Sequence, residues 1–143
     1  MLDDYRRVSA KYRLLVHFLA ATFLLFQTDL WLTQLSFANL HFELSAFWQV
    51  ALSLLFIIWM INLYNFMDGM DGFAGGMAVI GFGSFAILGW FANDMLFMSL
   101  NLLIASAATG FLMFNFPPAR IFMGDVGSSS LGLLAATFSL WGN

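Results

Sequence analysis

The sequence contains no cysteine, which excludes disulfide bonds and metal sites built on thiolates. It is also poor in charge, because only 9% of its residues are Asp, Glu, Lys or Arg, whereas soluble domains carry about 25%. Apolar residues make up 62% of the chain, above the roughly 45–50% that is usual in soluble domains. The composition is therefore atypical of a soluble globular domain and favours a membrane protein.

Five apolar stretches approach or reach the roughly 20 residues that a helix needs to cross a bilayer. They cover about residues 14–30, 44–61, 73–92, 95–116 and 127–143. The fourth stretch is followed by Pro117 and Pro118, which cannot continue a helix. We therefore predict an all-α, polytopic integral membrane protein, with about five transmembrane helices forming a single membrane domain over residues 1–143.

The charged residues are unequally divided between the two sides of the predicted membrane. Because successive spans alternate direction, the segments 3–13, 62–72 and 115–130 share one side. That side holds all five basic residues, which are Arg6, Arg7, Lys11, Arg13 and Arg120. It also holds five carboxylates, which are Asp3, Asp4, Asp68, Asp71 and Asp125. The opposite connections carry only Asp29, Glu43 and Asp94 as charges. By the positive-inside rule, the shared side is predicted to be cytoplasmic.

Carboxylates gathered at a membrane surface repel one another and lose hydration, so they need cations to remain ionised. Magnesium suits this need, because it prefers hard oxygen ligands and is often held by one or two carboxylates together with substrate phosphates. The glycines in these loops would let the backbone approach such phosphates. Neither glycine cluster matches a Walker or dinucleotide-binding motif, so the pattern favours a phosphate-bearing substrate without specifying it.

Each feature also has a simpler interpretation. The Asp-Gly pairs at 68–69 and 71–72 are typical of turns, and Asp125 would serve as an N-cap for the last helix. Three arginines, Arg6, Arg7 and Arg13, would anchor lipid headgroups. His17 and His41 are interpreted as a helix residue and a loop residue rather than as ligands. These interpretations do not explain why both kinds of charge gather on one side.

Three motifs, in order, make a specific match. Asp3-Asp4 followed by Lys11, then NLYNFMDGMDGFAGG from residue 62, then GFLMFNFPPARIFMGDVGSSSLG from residue 110, resemble the cytoplasmic motifs of the polyprenyl-phosphate N-acetylhexosamine-1-phosphate transferases of glycosyltransferase family 4. The wording of the last two is most similar to the bacterial branch that initiates O-antigen synthesis. The resemblance extends over essentially the whole chain.

The resemblance implies an all-helical, Mg2+-dependent enzyme of the bacterial inner membrane, with Mn2+ as a substitute metal and a cytoplasmic active site. Such an enzyme transfers a sugar 1-phosphate from a UDP-N-acetylhexosamine to undecaprenyl phosphate, releases UMP, and starts a lipid-linked O-antigen or another cell-envelope glycan. The expected partners are these two substrates and the lipid bilayer, with no nucleic acid. A homodimer is compatible with the resemblance.

The resemblance also implies roles for particular residues. Asp125 is expected to bind the metal together with Asn65, and Asp71 to receive the uracil end of the nucleotide with the backbone around Phe122. The expected catalytic residues are Asp3, Asp4 and Lys11. The expected site-lining residues are Asn62, Asp68 and Asn115. From its charge, Arg120 is expected to help Lys11 offset the negative charge of the substrates.

The acceptor phosphate has a second pKa of about 6, so it is already mostly a dianion at neutral pH. A strong general base is then hardly needed, and we favour direct in-line attack, with Asp3 or Asp4 positioning the acceptor or accepting its residual proton. A two-step route through an aspartyl-phosphate is the alternative. The sequence does not identify the sugar.

The chain also departs from the family. Family members have further helices before the paired aspartates and a histidine-rich loop near the C-terminus, so we expect this chain to be an internal part of the enzyme, with little or no activity alone. Two rival interpretations are a fragment of a membrane transporter or channel, which would need charges near the bilayer midplane, and an inactive structural fragment.

Overall fold

The computed structural model of the chain describes residues 9–37 and 40–142. Within these residues it has five helices and one β-hairpin. In chain order they are α1 (Ala10–Thr28), β1 (Gln34–Phe37), β2 (Leu40–Glu43), α2 (Ala46–Met67), α3 (Phe73–Phe91), α4 (Met95–Asn115) and α5 (Gly124–Trp141). Each predicted apolar stretch corresponds to one helix, which confirms the all-α membrane fold.

Among the described residues, three helices are long and apolar enough to cross a membrane by length and composition: α2, α3 and α4. For α1 and α5, membrane spanning stays a prediction. Three helix ends lie three or more residues outside the predicted spans, because α1 begins at Ala10 rather than at residue 14, α2 continues past residue 61 to Met67, and α5 begins at Gly124 rather than at residue 127. In each case a segment that contains polar or charged residues extends an apolar helix by about one to two turns, which hydropathy alone does not register.

The connection between α1 and α2 contains a short antiparallel hairpin that the sequence analysis did not predict. Strands β1 and β2 pair with Gln34 opposite Glu43 and Leu35 opposite Phe42. Polar and apolar residues alternate along both strands, as is typical of a sheet with one apolar face. An alternation of four residues is too short to be distinguished from a polar loop by sequence alone.

Helices α2 and α5 approach each other closely through small residues. A Cβ atom built on Gly132 would lie 2.6 Å from the Met60 carbonyl oxygen and 2.7 Å from the Ile61 Cα. Ser128 and Ala136, on the same face of α5, are completely buried. Small residues allow helix backbones to come into contact inside a membrane. This contact brings the end of α2 beside the start of α5.

Helices α3 and α4 form an antiparallel pair, and α1 packs against α2. The pair is joined to α5 through aromatic side chains, since the Phe138 ring lies 6.1 Å from that of Phe82 and 5.6 Å from that of Phe97, both edge-on. Large apolar side chains also cover the outer surface; Trp59 and Phe91 are 64% and 76% exposed. Such a surface suits contact with lipid rather than with water.

Candidate active site

The polar residues predicted to share one side of the membrane meet at one end of the helix bundle. This end is formed by the first turn of α1, the last turns of α2, the turn 68–72, the loop 116–123 and the first turn of α5. The structure therefore confirms, for the described residues, that the three charged segments converge.

Asn65 and Asp125, the predicted metal ligands, lie in direct contact. The Asn65 Nδ2 donates to Asp125 Oδ1 at 2.8 Å and to the Ser128 Oγ at 3.1 Å. The buried Ser128 hydroxyl donates in turn to the Gly124 carbonyl oxygen at 2.9 Å. Met123, not Asp125, occupies the N-cap position of α5. Asp125 thus lies in the first helical turn, where a carboxylate is stabilised by the helix dipole.

Arg13 is the third member of this cluster, and the sequence analysis had interpreted it only as a headgroup anchor. Its Nη2 donates to Asn65 Oδ1 at 2.9 Å and forms an ion pair with Asp125 Oδ2 at 3.1 Å. The side chains of Arg13 and Asp125 are 35% and 38% exposed. The one sequence signal for this contact was the position of Arg13 among the charges of the shared side.

Asp68 binds the beginning of α5 through both of its carboxylate oxygens. Oδ1 accepts from the Met123 N–H at 3.2 Å, and Oδ2 accepts from the Gly124 N–H at 2.8 Å. These N–H groups belong to the start of a helix, where no carbonyl of the same helix can accept them. Gly124 has a φ of 72°, a left-handed conformation that glycine adopts readily. Asp68 therefore caps α5 from a neighbouring loop.

Asp71 and Asn115 continue this connection between the turn 68–72 and the loop 116–123. Asp71 Oδ2 accepts from the Ala119 N–H at 2.9 Å. The buried Asn115 side chain accepts from the Gly72 N–H at 2.9 Å and donates to the Ile121 carbonyl oxygen at 2.8 Å. The turn interpretation of the Asp-Gly pairs is thus correct, and the same aspartates also fix the loop opposite.

The remaining predicted residues lie around this core. Asn62 is exposed, and its Nδ2 donates to the Ile58 carbonyl oxygen within α2. Lys11 is exposed in the first turn of α1, and Arg120 and Phe122 are exposed in the loop 116–123. Asp3 and Asp4 lie outside the described residues, so their predicted catalytic roles stay predictions.

A groove of about 360 Å³ opens between α1 and α5, with Arg13 and Asp125 among its lining residues. Its walls are mostly apolar and include Val16, Ala20, Ile61, Val126 and Leu133. His17 also lines the groove, and its Nδ1 is buried without a hydrogen-bond partner among the described residues. The charged cluster is therefore continuous with the apolar part of this groove.

The donor set of the cluster can be compared with what divalent metals need. Within the described part of the chain, no three His, Cys, Asp or Glu side chains gather as a metal site. Magnesium does not require such a group, because it keeps several waters and takes further ligands from substrate phosphates. The Asn65 Oδ1 and Asp125 Oδ2 atoms, which already share a cationic partner, fit Mg2+ better than a metal that needs nitrogen or sulfur ligands.

Comparisons with known proteins identify a matching family model and several relatives. The model of Glycosyl transferase family 4 matches residues 1–143. The "Probable undecaprenyl-phosphate N-acetylglucosaminyl 1-phosphate transferase" of Bacillus subtilis is 37% identical, over 99% of this chain and 40% of the relative. The "Phospho-N-acetylmuramoyl-pentapeptide-transferase" of Oceanobacillus iheyensis is 39% identical, over 71% of this chain and 31% of the relative. The corresponding protein of Staphylococcus saprophyticus is 40% identical, over 66% of this chain and 27% of the relative. The chain spans two fifths or less of the length of these relatives.

Proposed function

This chain belongs to glycosyl transferase family 4, as its motifs indicated, and from that membership we propose that its protein transfers an N-acetylhexosamine 1-phosphate from a UDP-sugar to undecaprenyl phosphate. The reaction releases UMP and starts the synthesis of a cell-envelope glycan. The name of the B. subtilis relative, which specifies both undecaprenyl phosphate and a sugar 1-phosphate, supports the proposal. The narrower prediction of an O-antigen product stays a prediction.

The observation that carries this proposal is the continuity between the polar cluster and the apolar groove. The proposed acceptor has a phosphate at the end of a long isoprenoid chain, so it needs a charged site beside an apolar channel. Arg13 and Asp125 lie at such a position, and Val16, Ala20 and Leu133 line the apolar part. We therefore assign the groove to the acceptor, with its phosphate at the polar end.

We propose that Asn65 and Asp125 hold Mg2+, which Mn2+ can replace. Bound there, the metal would offset the negative charge that builds up on the transferring phosphoryl group. The contacts of Ser128 support this role, since its hydroxyl accepts from the Asn65 amide and fixes the orientation of that side chain. The close packing of α2 against α5 holds both ligands without help from a flexible loop.

The nucleotide is assigned to the surface formed by the turn 68–72 and the loop 116–123. Asp71 and Phe122 are both exposed on this surface, and the Phe122 side chain is 58% exposed although it is aromatic. The exposed ring provides a stacking face, and the carboxylate on the same surface provides a hydrogen-bond acceptor, for a uracil base. Asn115 and Asp68 then serve to hold the two segments together beneath the base.

In the proposed reaction, an oxygen of the acceptor phosphate attacks the phosphorus that carries the sugar. The bond from that phosphorus to the oxygen of UMP breaks, and UMP leaves. Lys11 and Arg120, both exposed at this end of the bundle, provide positive charge for two anionic substrates. Direct attack needs no covalent enzyme intermediate. Trapping a phosphorylated aspartate after incubation with UDP-sugar alone would favour the two-step route instead.

The side of the membrane belongs to the same proposal. The described basic residues, Lys11, Arg13 and Arg120, lie at the end of the bundle that holds the cluster. By the positive-inside rule this end is cytoplasmic, where nucleotide sugars are available. The transporter alternative is disfavoured, because the described charged residues lie at helix ends and in connections rather than midway along a helix.

The first test measures the exchange of radiolabelled UMP with UDP-sugar by the full-length protein in detergent, with and without Mg2+. The second measures how far UMP protects the same protein against proteolysis under the same two conditions. Asp125→Asn is expected to abolish exchange and the Mg2+ dependence of protection. Asp29→Asn is the matched control, since it makes the same change in the connection after α1 and keeps a residue that tolerates the left-handed φ of 51°. If Asp125→Asn retained Mg2+-dependent protection, the metal assignment would be wrong. Because the chain covers 40% of its B. subtilis relative, we expect the 143-residue chain alone to be nearly inactive.

A further inference from the structure

Arg13 contacts both oxygen atoms that the proposed metal site requires. A single nitrogen, Nη2, lies 2.9 Å from Asn65 Oδ1 and 3.1 Å from Asp125 Oδ2. We infer that Arg13 competes with the divalent cation for these two oxygens, so that it lowers the affinity of the substrate-free protein for metal. This inference rests on the proposed function, because it takes Asn65 and Asp125 as the metal ligands.

The orientation of the Asn65 amide supports the competition. Its Nδ2 is directed towards Asp125 Oδ1 and Ser128, so its oxygen, the atom that could bind a metal, is directed towards Arg13. A cation placed between Asn65 Oδ1 and Asp125 Oδ2 would lie within a few ångströms of the guanidinium group. Like charges at that separation repel strongly, even where solvent partly screens them. Arg13 must therefore move before the metal can use both oxygens.

The surroundings allow Arg13 to move. Its ion pair with Asp125 is about one-third exposed on each side, and pairs with such exposure contribute little net stability. Arg13 also lines the groove between α1 and α5, which gives its side chain open space beside the cluster. A guanidinium released there can form paired hydrogen bonds to a phosphate. The same residue would then pass from the metal ligands to an anionic substrate as the site fills.

The experiment measures Mn2+ affinity of the purified protein, without nucleotide or lipid, by electron paramagnetic resonance. Arg13→Met keeps an unbranched apolar stem, shorter than that of arginine, and removes the charge and the hydrogen-bond donors. We expect this variant to bind Mn2+ about three- to tenfold more tightly than the wild-type protein, because the metal no longer has to displace the ion pair with Asp125 and the hydrogen bond to Asn65. Asp29→Asn is the control, since it changes one exposed charge in the connection after α1, outside the cluster and the proposed substrate sites. The control should change the affinity by less than about twofold, because exposed charges at longer range are screened.

The outcomes separate this inference from the proposed function. Equal or weaker Mn2+ binding by Arg13→Met would overturn the competition and indicate that Arg13 only supports the packing of α1. If Asp125→Asn bound Mn2+ as tightly as the wild-type protein does, the metal would bind elsewhere, and both the metal assignment and the competition would fail. Should Arg13→Met not fold, Arg13→Gln removes the charge but keeps a donor for Asn65, and it must also bind Mn2+ more tightly.

Discussion

The contact between α2 and α5 predicts an unusual effect of the small substitution Gly132→Ala. The added methyl group would lie 2.6 Å from the Met60 carbonyl oxygen and 2.7 Å from the Ile61 Cα, and real Cβ atoms are essentially never found within 3.0 Å of another atom. Both neighbours belong to the backbone of α2, so no side chain can rotate away. The two helices must therefore separate by several tenths of an ångström.

Two opposing terms determine the size of the effect. Replacing glycine by alanine within a helix usually stabilises it by about 1 kcal/mol, whereas overpacking a close contact costs about 1–3 kcal/mol. We therefore expect Gly132→Ala to lower the free energy of unfolding by up to about 2 kcal/mol. The matched controls are Gly83→Ala in α3 and Gly110→Ala in α4, where a Cβ atom would have no neighbour within 4 Å. These two variants should be at least as stable as the wild-type protein.

The substitution should also weaken metal binding. Gly132 lies about two turns along α5 from Asp125, or about 10 Å, so a tilt at Gly132 displaces Asp125 from Asn65. Thermal unfolding in detergent and Mn2+ titration of the three variants measure both effects. The explanation of α2–α5 packing would be refuted if Gly132→Ala matched Gly83→Ala in unfolding temperature and in Mn2+ affinity.

Two further substitutions test the connection between the turn 68–72 and the loop opposite. Asn115→Ala should lower the free energy of unfolding by about 2–4 kcal/mol, because the Gly72 N–H and the Ile121 carbonyl each lose a buried partner. Thermal unfolding in detergent measures this loss, and a value below about 0.5 kcal/mol would contradict the role of Asn115. Asp68→Ala should cost about 1–3 kcal/mol and weaken Mn2+ binding, because the Gly124 N–H at the start of α5 loses its acceptor. Asp68→Asn keeps one acceptor and should fall between Asp68→Ala and the wild-type protein in both measurements. An Asp68→Ala variant as stable as the wild-type protein would show that the cap is unimportant.

Much of the fold could be predicted from the sequence, because a bilayer imposes a simple length on apolar helices. The apolar runs that form α2, α3 and α4 carry no charge. Because successive spans alternate direction, the order of the runs assigns each loop to one side of the membrane. Helix ends were less predictable, since Asn62 and Asn65 are polar and yet helical. Nothing in that segment breaks a helix before Gly69, so α2 continues to Met67.

The candidate site, too, could be predicted from the sequence in some contacts and not in others. The motif resemblance identified Asn65 and Asp125 as a pair, and the structure places them 2.8 Å apart, side chain to side chain. The resemblance could not show that the Asp68 carboxylate accepts hydrogen bonds from two backbone N–H groups, because such bonds depend on how two loops pack. The contact of Arg13 with Asn65 joins residues 52 positions apart, and no local pattern records it.

The bonds from Asp68 to the start of α5 also set an order for the assembly of the protein. The Gly124 N–H is 56 residues further along the chain than the carboxylate that accepts from it. At a synthesis rate of about 5–20 residues per second, Asp68 leaves the ribosome roughly 3–10 seconds before its partner. During that interval the whole α3–α4 pair must be made, while the carboxylate is hydrated at the membrane surface. The candidate site therefore forms late in biosynthesis. Slow insertion of α3 or α4 would prolong the state in which α2 is complete but Asp68 has not yet met the start of α5.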